Sequence, residues 1–285
     1  MANLNELVNE LIIPDLRENA LHVLSKRRDL YHEIAPLLWN TACVVTVFLQ
    51  EIISIYPAVS SSELTSAQSI RVVNVLALLQ CLASHPETRM PFLNANIPQY
   101  FYPFLRTTSK LPQFEFLRVA SLGVICALAK ANTEEAINFL LSSEVVPLCL
   151  KSIENGQIFA KTVAMFVVQK VLANDNGLEY ICSTAERFFA VAKVLEMVLG
   201  CLVEQPSPRL LKYVISSYSR LSHNHRAGIA LARCIPNTLM DATFINYIRE
   251  DPATLNMMNV LQENMRNNRI SLEQGGRGGE DTGGR

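Results

Sequence analysis

Few residues in this sequence could do chemistry, and they are widely spaced. His223 and His225 form a His-Asn-His pair, the residue type that binds a metal or moves a proton near neutral pH. A spacing of two puts the imidazoles on different faces of a helix or in a corner, and no nearby Cys/His cluster completes a tetrahedral site. The pair reads as a solvated corner, and neither metal nor cofactor is expected. Glu134-Glu135 and Glu250-Asp251 are candidate acid–base pairs, but they fall at helix starts or ends, where a carboxylate favours the helix dipole. Seven cysteines (43, 81, 126, 149, 182, 201 and 234) stand singly in or beside apolar helical stretches, with no CxxC pair. They signal neither a zinc site nor a disulfide framework, and read as small buried hydrophobes of a reducing compartment. The sequence holds no GxSxG, Walker loop, GxGxxG or HExxH. No residue is expected to be catalytic, so the chain is not read as an enzyme.

What remains is surface shape. In FEFLRVASLGVICALAK (114–130), Phe116, Val119, Gly123 and Cys126 share one helical stripe. A glycine inside a helix costs about 1 kcal/mol relative to alanine. Either close packing of a neighbouring helix or room for a bound partner must compensate at Gly123. The next long apolar helix carries Phe159, Thr162, Val163 and Phe166 at similar spacing. If the two helices line an inner face, these stripes are adjacent rows of a groove suited to an amphipathic helix or short linear motif.

The elements that must position such rows are helices. Apolar spacing of i, i+3, i+4, i+7 recurs along the chain, as in Val72, Val75, Leu76 and Leu79 or Leu210, Val214, Tyr218 and Leu221. Asn-Gly and Asp-Gly hairpin signals between alternating runs are missing, so the fold is expected to be all-α. A loose repeat organises it. LLQCLASHPETRMPFLNANIPQYFYPFL (78–105) reads as a helix, a polar corner, a second helix and a turn whose Ile97-Pro98 opens a third. Copies follow at 124–150 with Val146-Pro147, at 167–195 without the proline, and at 218–239 with Ile235-Pro236. The leucines ahead of the corners, Leu82, Leu128, Leu172 and Leu221, stand 46, 44 and 49 residues apart. Leu24 fits an earlier copy 58 residues upstream, the surplus being the Ser-rich stretch 57–69, read as a loop. Armadillo and HEAT units run about 40 to 47 residues. Such units bury their apolar faces by stacking, so residues 1–268 are read as one armadillo-repeat domain.

Composition sets the outer bounds. Apolar residues make up 49% and charged ones 18% of the 285 residues, enough for a large core. Yet no run approaches the roughly 18 to 20 uninterrupted apolar residues of a membrane helix, so no membrane partner is expected. The N-terminus lacks the charged, apolar and small-residue regions of a signal peptide. A net charge of −1 gives no global pull on nucleic acid. A local basic cluster (Arg209, Lys212, Arg220, Arg226 and Arg233) leaves a weak nucleic-acid contact as an alternative to a solvated face. The single tryptophan, Trp39, reads as a packing anchor and excludes the Trp and Asn ladder of importin-type grooves. Six of the 11 glycines lie in residues 275–285, and the segment 269–285 is expected to be a disordered tail.

The repeats also resemble a known family. LRENALHVLSKRRD (16–29), LALLQCLASHPETR (76–89), IPQYFYPFLRTTSK (97–110), FEFLRVASLGVI (114–125) and PSPRLLKYV (206–214) are similar to the Rcd-type, "required for cell differentiation", family. That is the Caf-type armadillo subunit, subunit nine, of the Ccr–Not deadenylase complex, and the likeness runs from about residue 5 to 255. It implies a right-handed solenoid of about six armadillo repeats without catalytic activity, expected in the cytoplasm (including P-bodies), with entry into the nucleus left open. The implied partners are the large Not scaffold subunit and short linear motifs of mRNA-binding and silencing proteins; whether a second copy joins as a homodimer is left open by the sequence. It maps an inner peptide groove onto Phe116, Val119, Gly123, Phe159, Thr162, Val163 and Phe166. A tryptophan pocket would involve Arg187 and Arg226, and a scaffold-binding face Trp39, Asn40 and Thr46. The chain departs from the family at Ala185, where an aromatic is usual, at His225 in place of a proline, and in NTACVVTVFLQEI after Trp39.

Overall fold

The computed structural model describes residues 3–276, and among them every regular element is helical. Helix ends follow from local chemistry. Thr65 accepts the N–H of Gln68 while the Gln68 side chain returns to the Thr65 N–H, a capping box that starts Ser66–Ser84. Thr133, Asn174, Ser207 and Asn224 cap the next helices in the same way with one side-chain oxygen. Most of these caps lie just past the corner leucines. Leu24, Leu82, Leu128, Leu172 and Leu221 are fully buried, and each sits within the last four residues of its helix.

The repeat is therefore three-part. The long helices Ser66–Ser84, Pro112–Ala131, Ile158–Ala173 and Pro208–Leu221 end at the corners. The short helices Pro86–Asn94, Glu134–Ser142, Asp175–Cys182 and His225–Cys234 follow them. A third part comes next: Ile97–Phe101 with Tyr102–Arg106, then Val145–Asn155, Ala185–Glu204, and Asn237–Met240. Pro98 and Pro147 lie in the first turn of these third parts, where a missing N–H costs nothing. Pro236 stands one residue outside, as the cap of Asn237–Met240. The residue ahead of Ile97 and of Val145 is left-handed, Asn96 with φ 53° and Glu144 with φ 58°. Asparagine tolerates that conformation; glutamate holds it at some cost.

Residues 1–268, read as one domain, fall into two compact units divided between Val167 and Val168, within Ile158–Ala173. In the first, Phe48, Phe92, Phe101, Phe104 and Phe114 are fully buried, and Ser66–Ser84 packs extensively along Pro112–Ala131. Glu51 is buried there between two guanidiniums, Arg17 Nη1 at 3.0 Å and Arg71 Nε at 2.6 Å. In the second, Pro252–Gly276 lies against Pro208–Leu221 and His225–Cys234 and buries Met258, Leu261 and Met265.

Several expectations need correction. The stretch 57–69 is not all loop: Tyr56–Ser61 is helical and Ser66 begins the next helix. Of the cysteines, Cys81 and Cys149 are buried, but Cys43, Cys201 and Cys234 are exposed, because each falls on the outer stripe or cap of its helix. Val44–Ser61 and Ser66–Ser84 are long and apolar enough to cross a membrane by length and composition. Mean hydropathy admits them although Gln50, Glu51 and Arg71 break the apolar runs. The last described helix runs to Gly276, and residues 277–285 of the expected tail lie outside the described residues.

Candidate functional site

In the first unit an apolar groove of about 480 Å³ lies between three helices. Pro112–Ala131 contributes Phe116, Val119, Ala120, Gly123 and Cys126; Ile158–Ala173 contributes Phe159 and Val163. These include five of the seven groove residues expected from the sequence. Thr162 and Phe166 are half-buried and do not line it; the Thr162 hydroxyl donates to the Ile158 carbonyl of its own helix at 2.7 Å.

The third wall was not expected. It is the helix Ser66–Ser84, through Ile70, Val73, Ala77 and Gln80. A second apolar stripe (70, 73, 77) beside the core stripe of Val72, Val75, Leu76 and Leu79 was the available signal. A helix apolar on two faces has two things to cover. Ile70 and Phe116 are each 52% exposed and Phe159 is 62% exposed. Covering those exposed halves, about 300 Å² by ordinary side-chain areas, is worth about 7 kcal/mol before the costs of association.

At Gly123 the neighbouring helix Ser66–Ser84 comes close through one side chain. A Cβ there would meet Gln80 Oε1 at 3.2 Å and Gln80 Cδ at 3.7 Å, the movable end of a flexible side chain, and no backbone. Gly123 both lines the groove and closely approaches Gln80 of the neighbouring helix, so the two compensations meet at this residue.

A smaller pocket of about 250 Å³ lies in the second unit, lined by Thr184, Ala185, Phe188, Phe189, Arg226 and Ala230 among others. Arg226 is thus where the resemblance places it. Arg187 does not line the pocket: its guanidinium stacks on Tyr180, 3.9 Å from the ring centre, and donates to Ser183 Oγ at 3.0 Å. Phe189, 52% exposed, supplies an aromatic wall beside Ala185. On the other expected surface, Asn40 and Thr46 are exposed and Trp39 half-buried, flanking the turn between Tyr31–Asn40 and Val44–Ser54.

Much of the basic cluster is engaged within its own unit. Lys212 pairs with Asp251 at 2.7 Å, Arg220 with Asp175, and Arg209 Nε donates to the Tyr213 hydroxyl at 2.9 Å. Hydrogen bonds from Lys212 and then Thr254 hold the Asp251 carboxyl at a pKa of about 2. His223 Nδ1 lies 2.8 Å from the Ser219 carbonyl in the corner, and His225 opens the following helix. Among the described residues no three metal-ligating side chains gather.

Three-part helical units presenting an apolar groove define an armadillo-repeat protein. The same fold is found in computationally designed armadillo repeat proteins for modular peptide recognition, with a TM-score of 0.65 at 13% identity over 92% of this chain and 99% of that one. It is found again in a designed armadillo repeat protein in complex with the peptide (KR)4, with a TM-score of 0.62 at 12% identity over 93% and 100%. Residues 7–265 match the cell differentiation family, Rcd1-like. The cell differentiation protein rcd1 of Schizosaccharomyces pombe is 53% identical over 87% of this chain and 88% of its own length. Protein CAF40 of Saccharomyces cerevisiae is 45% identical over 87% of this chain and 67% of its own length. The chain belongs to the Rcd1-like cell differentiation family.

Proposed function

We propose that this chain is a non-catalytic adaptor subunit of the Ccr–Not deadenylase complex. In this reading it docks on the large Not scaffold through the face of Trp39, Asn40 and Thr46. It then holds short linear motifs of mRNA-binding and silencing proteins, which directs deadenylation, decay and translational repression to chosen transcripts. The observation that carries the reading is the groove: three large side chains, Ile70, Phe116 and Phe159, converge half-exposed around Gly123, a shape that fits one apolar face of an amphipathic helix. The smaller pocket, with Phe188, Phe189 and Arg226, suits a single planar ring. Such an adaptor works in the cytoplasm, P-bodies included, and in the nucleus, as a monomer or homodimer and without a membrane.

The alternative, single-stranded nucleic acid on the basic cluster, has less support because Lys212 and Arg220 are already paired with carboxylates. The test is a titration of a labelled amphipathic peptide with leucines at i, i+3, i+4 and i+7 against the chain and its Gly123→Trp variant. Wild-type binding that changes little with salt and vanishes in G123W, with melting unchanged, supports the groove. Binding that persists in G123W, or a collapse of the fold, refutes it. Co-purification with the scaffold's own binding segment in moderate salt tests the complex: no one-to-one species from a folded chain sinks that assignment.

A further inference from the structure

Glu115 and Arg118 sit on the same helix turns as the groove residues Phe116 and Val119, but are buried within the protein. Arg118 is fully buried, and Glu115 is 6% exposed. Buried charges persist only when paired and hydrogen-bonded. Arg118 Nη1 pairs with Glu115, and its Nη2 donates to the carbonyls of Thr107 and Ser109, each at 3.0 Å. Through this arginine the loop ahead of Pro112–Ala131 and the carboxylate on that helix are tied together.

The carboxylate then reaches a different helix. Glu115 Oε1 accepts the backbone N–H of Gln157 at 2.8 Å. Gln157 immediately precedes Ile158–Ala173, and its carbonyl accepts the Lys161 N–H at 2.9 Å, opening that helix. Phe159, the most exposed groove side chain, is two residues further on. Close passage at this point is enforced by Gly156, where a Cβ would lie 2.6 Å from the Ser152 carbonyl and 3.4 Å from Arg118 Cδ.

We infer that Glu115, held in place by Arg118, is a positioning residue of the groove: it tethers the start of the Phe159 wall to the Phe116 wall and so sets the spacing that a bound side chain meets. Apolar packing alone is non-directional and would let the start of Ile158–Ala173 pivot. A hydrogen bond whose acceptor is ionised and buried fixes direction as well as distance. The walls are thereby set before a partner arrives, which lowers the ordering cost of binding. This inference rests on the groove reading above.

Two double variants separate the tether from the charge. E115Q/R118M removes both charges and keeps an acceptor for the Gln157 N–H; E115L/R118M removes both charges and the acceptor. Each replaces the buried pair as a unit, so neither strands a lone charge. The leucine-patterned peptide is titrated against wild type and both doubles while circular dichroism confirms folding, and amide exchange is followed at Ile158 and Phe159. E115Q/R118M is expected to bind within about twofold of wild type, whereas E115L/R118M loses about tenfold, one step of about 1.4 kcal/mol, with faster exchange at Ile158 and Phe159. Equal affinity in the two doubles, or equal loss in both, overturns the inference, since the acceptor would then not matter. If wild type binds no peptide, the groove reading has failed first, and the tether's role in it goes too. If E115L/R118M does not fold, the Gln157→Pro variant, which lacks the N–H, is compared instead; unchanged affinity there also overturns the tether.

Discussion

Replacing Gly123 by alanine tests whether the groove floor is open space or packed interior. In a helix interior the substitution gains about 1 kcal/mol of propensity. Against that gain stands one neighbour: a Cβ would come to 3.2 Å from Gln80 Oε1, which must give by a few tenths of an ångström. Gln80 is half-buried on the groove rim, so its amide can swing at small cost. The expected net effect is a stabilisation of about 0.5 kcal/mol, or an upward Tm shift of about 1–2 °C. Gly177 is the internal contrast. It is buried in Asp175–Cys182, and a Cβ there would fall 2.0 Å from the Val171 carbonyl oxygen. Backbone cannot swing aside, so G177A is expected to lose about 3 kcal/mol. Urea denaturation of wild type, G123A and G177A, followed by helical circular dichroism, reads both values. A G123A variant destabilised by about 2 kcal/mol or more would show that Gly123 is a packing glycine, and the reasoning from open space would fail.

Other perturbations follow from the same geometry. F159A and F116A remove side chains that are 62% and 52% exposed, so stability should change by less than about 0.5 kcal/mol while peptide affinity falls at least about tenfold; a large loss of stability would place these rings in the core. Burial raises the pKa of Glu51, but hydrogen bonds from Arg71 and Arg17 more than reverse this and leave it below its ordinary 4.5. A depressed carboxylate pKa gives stability that is complete above the unfolded value and lost as pH falls through the folded one. Stability should therefore be level above about pH 5 and decline in acid, and E51Q should cost about 2 kcal/mol at pH 7, since Arg17 and Arg71 retain some solvent, and flatten the acid limb. Urea midpoints measured from pH 3 to 7 check this, and an unchanged acid limb in E51Q would refute it.

Much of the fold is legible in the sequence because its information is local. Apolar periodicity marks Leu210, Val214 and Tyr218 as one helical face, and all three are buried. Thr65, Thr133 and Asn174 start helices with their own side chains, and the corner leucines recur because each repeat must bury the same joint. The family likeness is carried by those same segments, and it brings Phe116, Val119, Gly123, Phe159 and Val163 to the one groove that they line.

Periodicity tells which face of a helix is apolar, and not which apolar face receives a neighbour. Ile70, Val73 and Ala77 look like core, and become the third wall because no helix covers them; Phe166 looks like groove, and lies outside its lining. Long-range pairing was equally out of reach. Nothing near Arg187 announces that it stacks on Tyr180 rather than facing the pocket, and nothing near Glu115 announces a bond to Gln157, 42 residues away. The sequence by itself determined the helices, their caps and their repeat, since those depend on residues within one or two turns. Which apolar side chains stay uncovered, and which buried charges tie distant segments together, was decided by tertiary structure alone, because both depend on what distant segments bring to the same place.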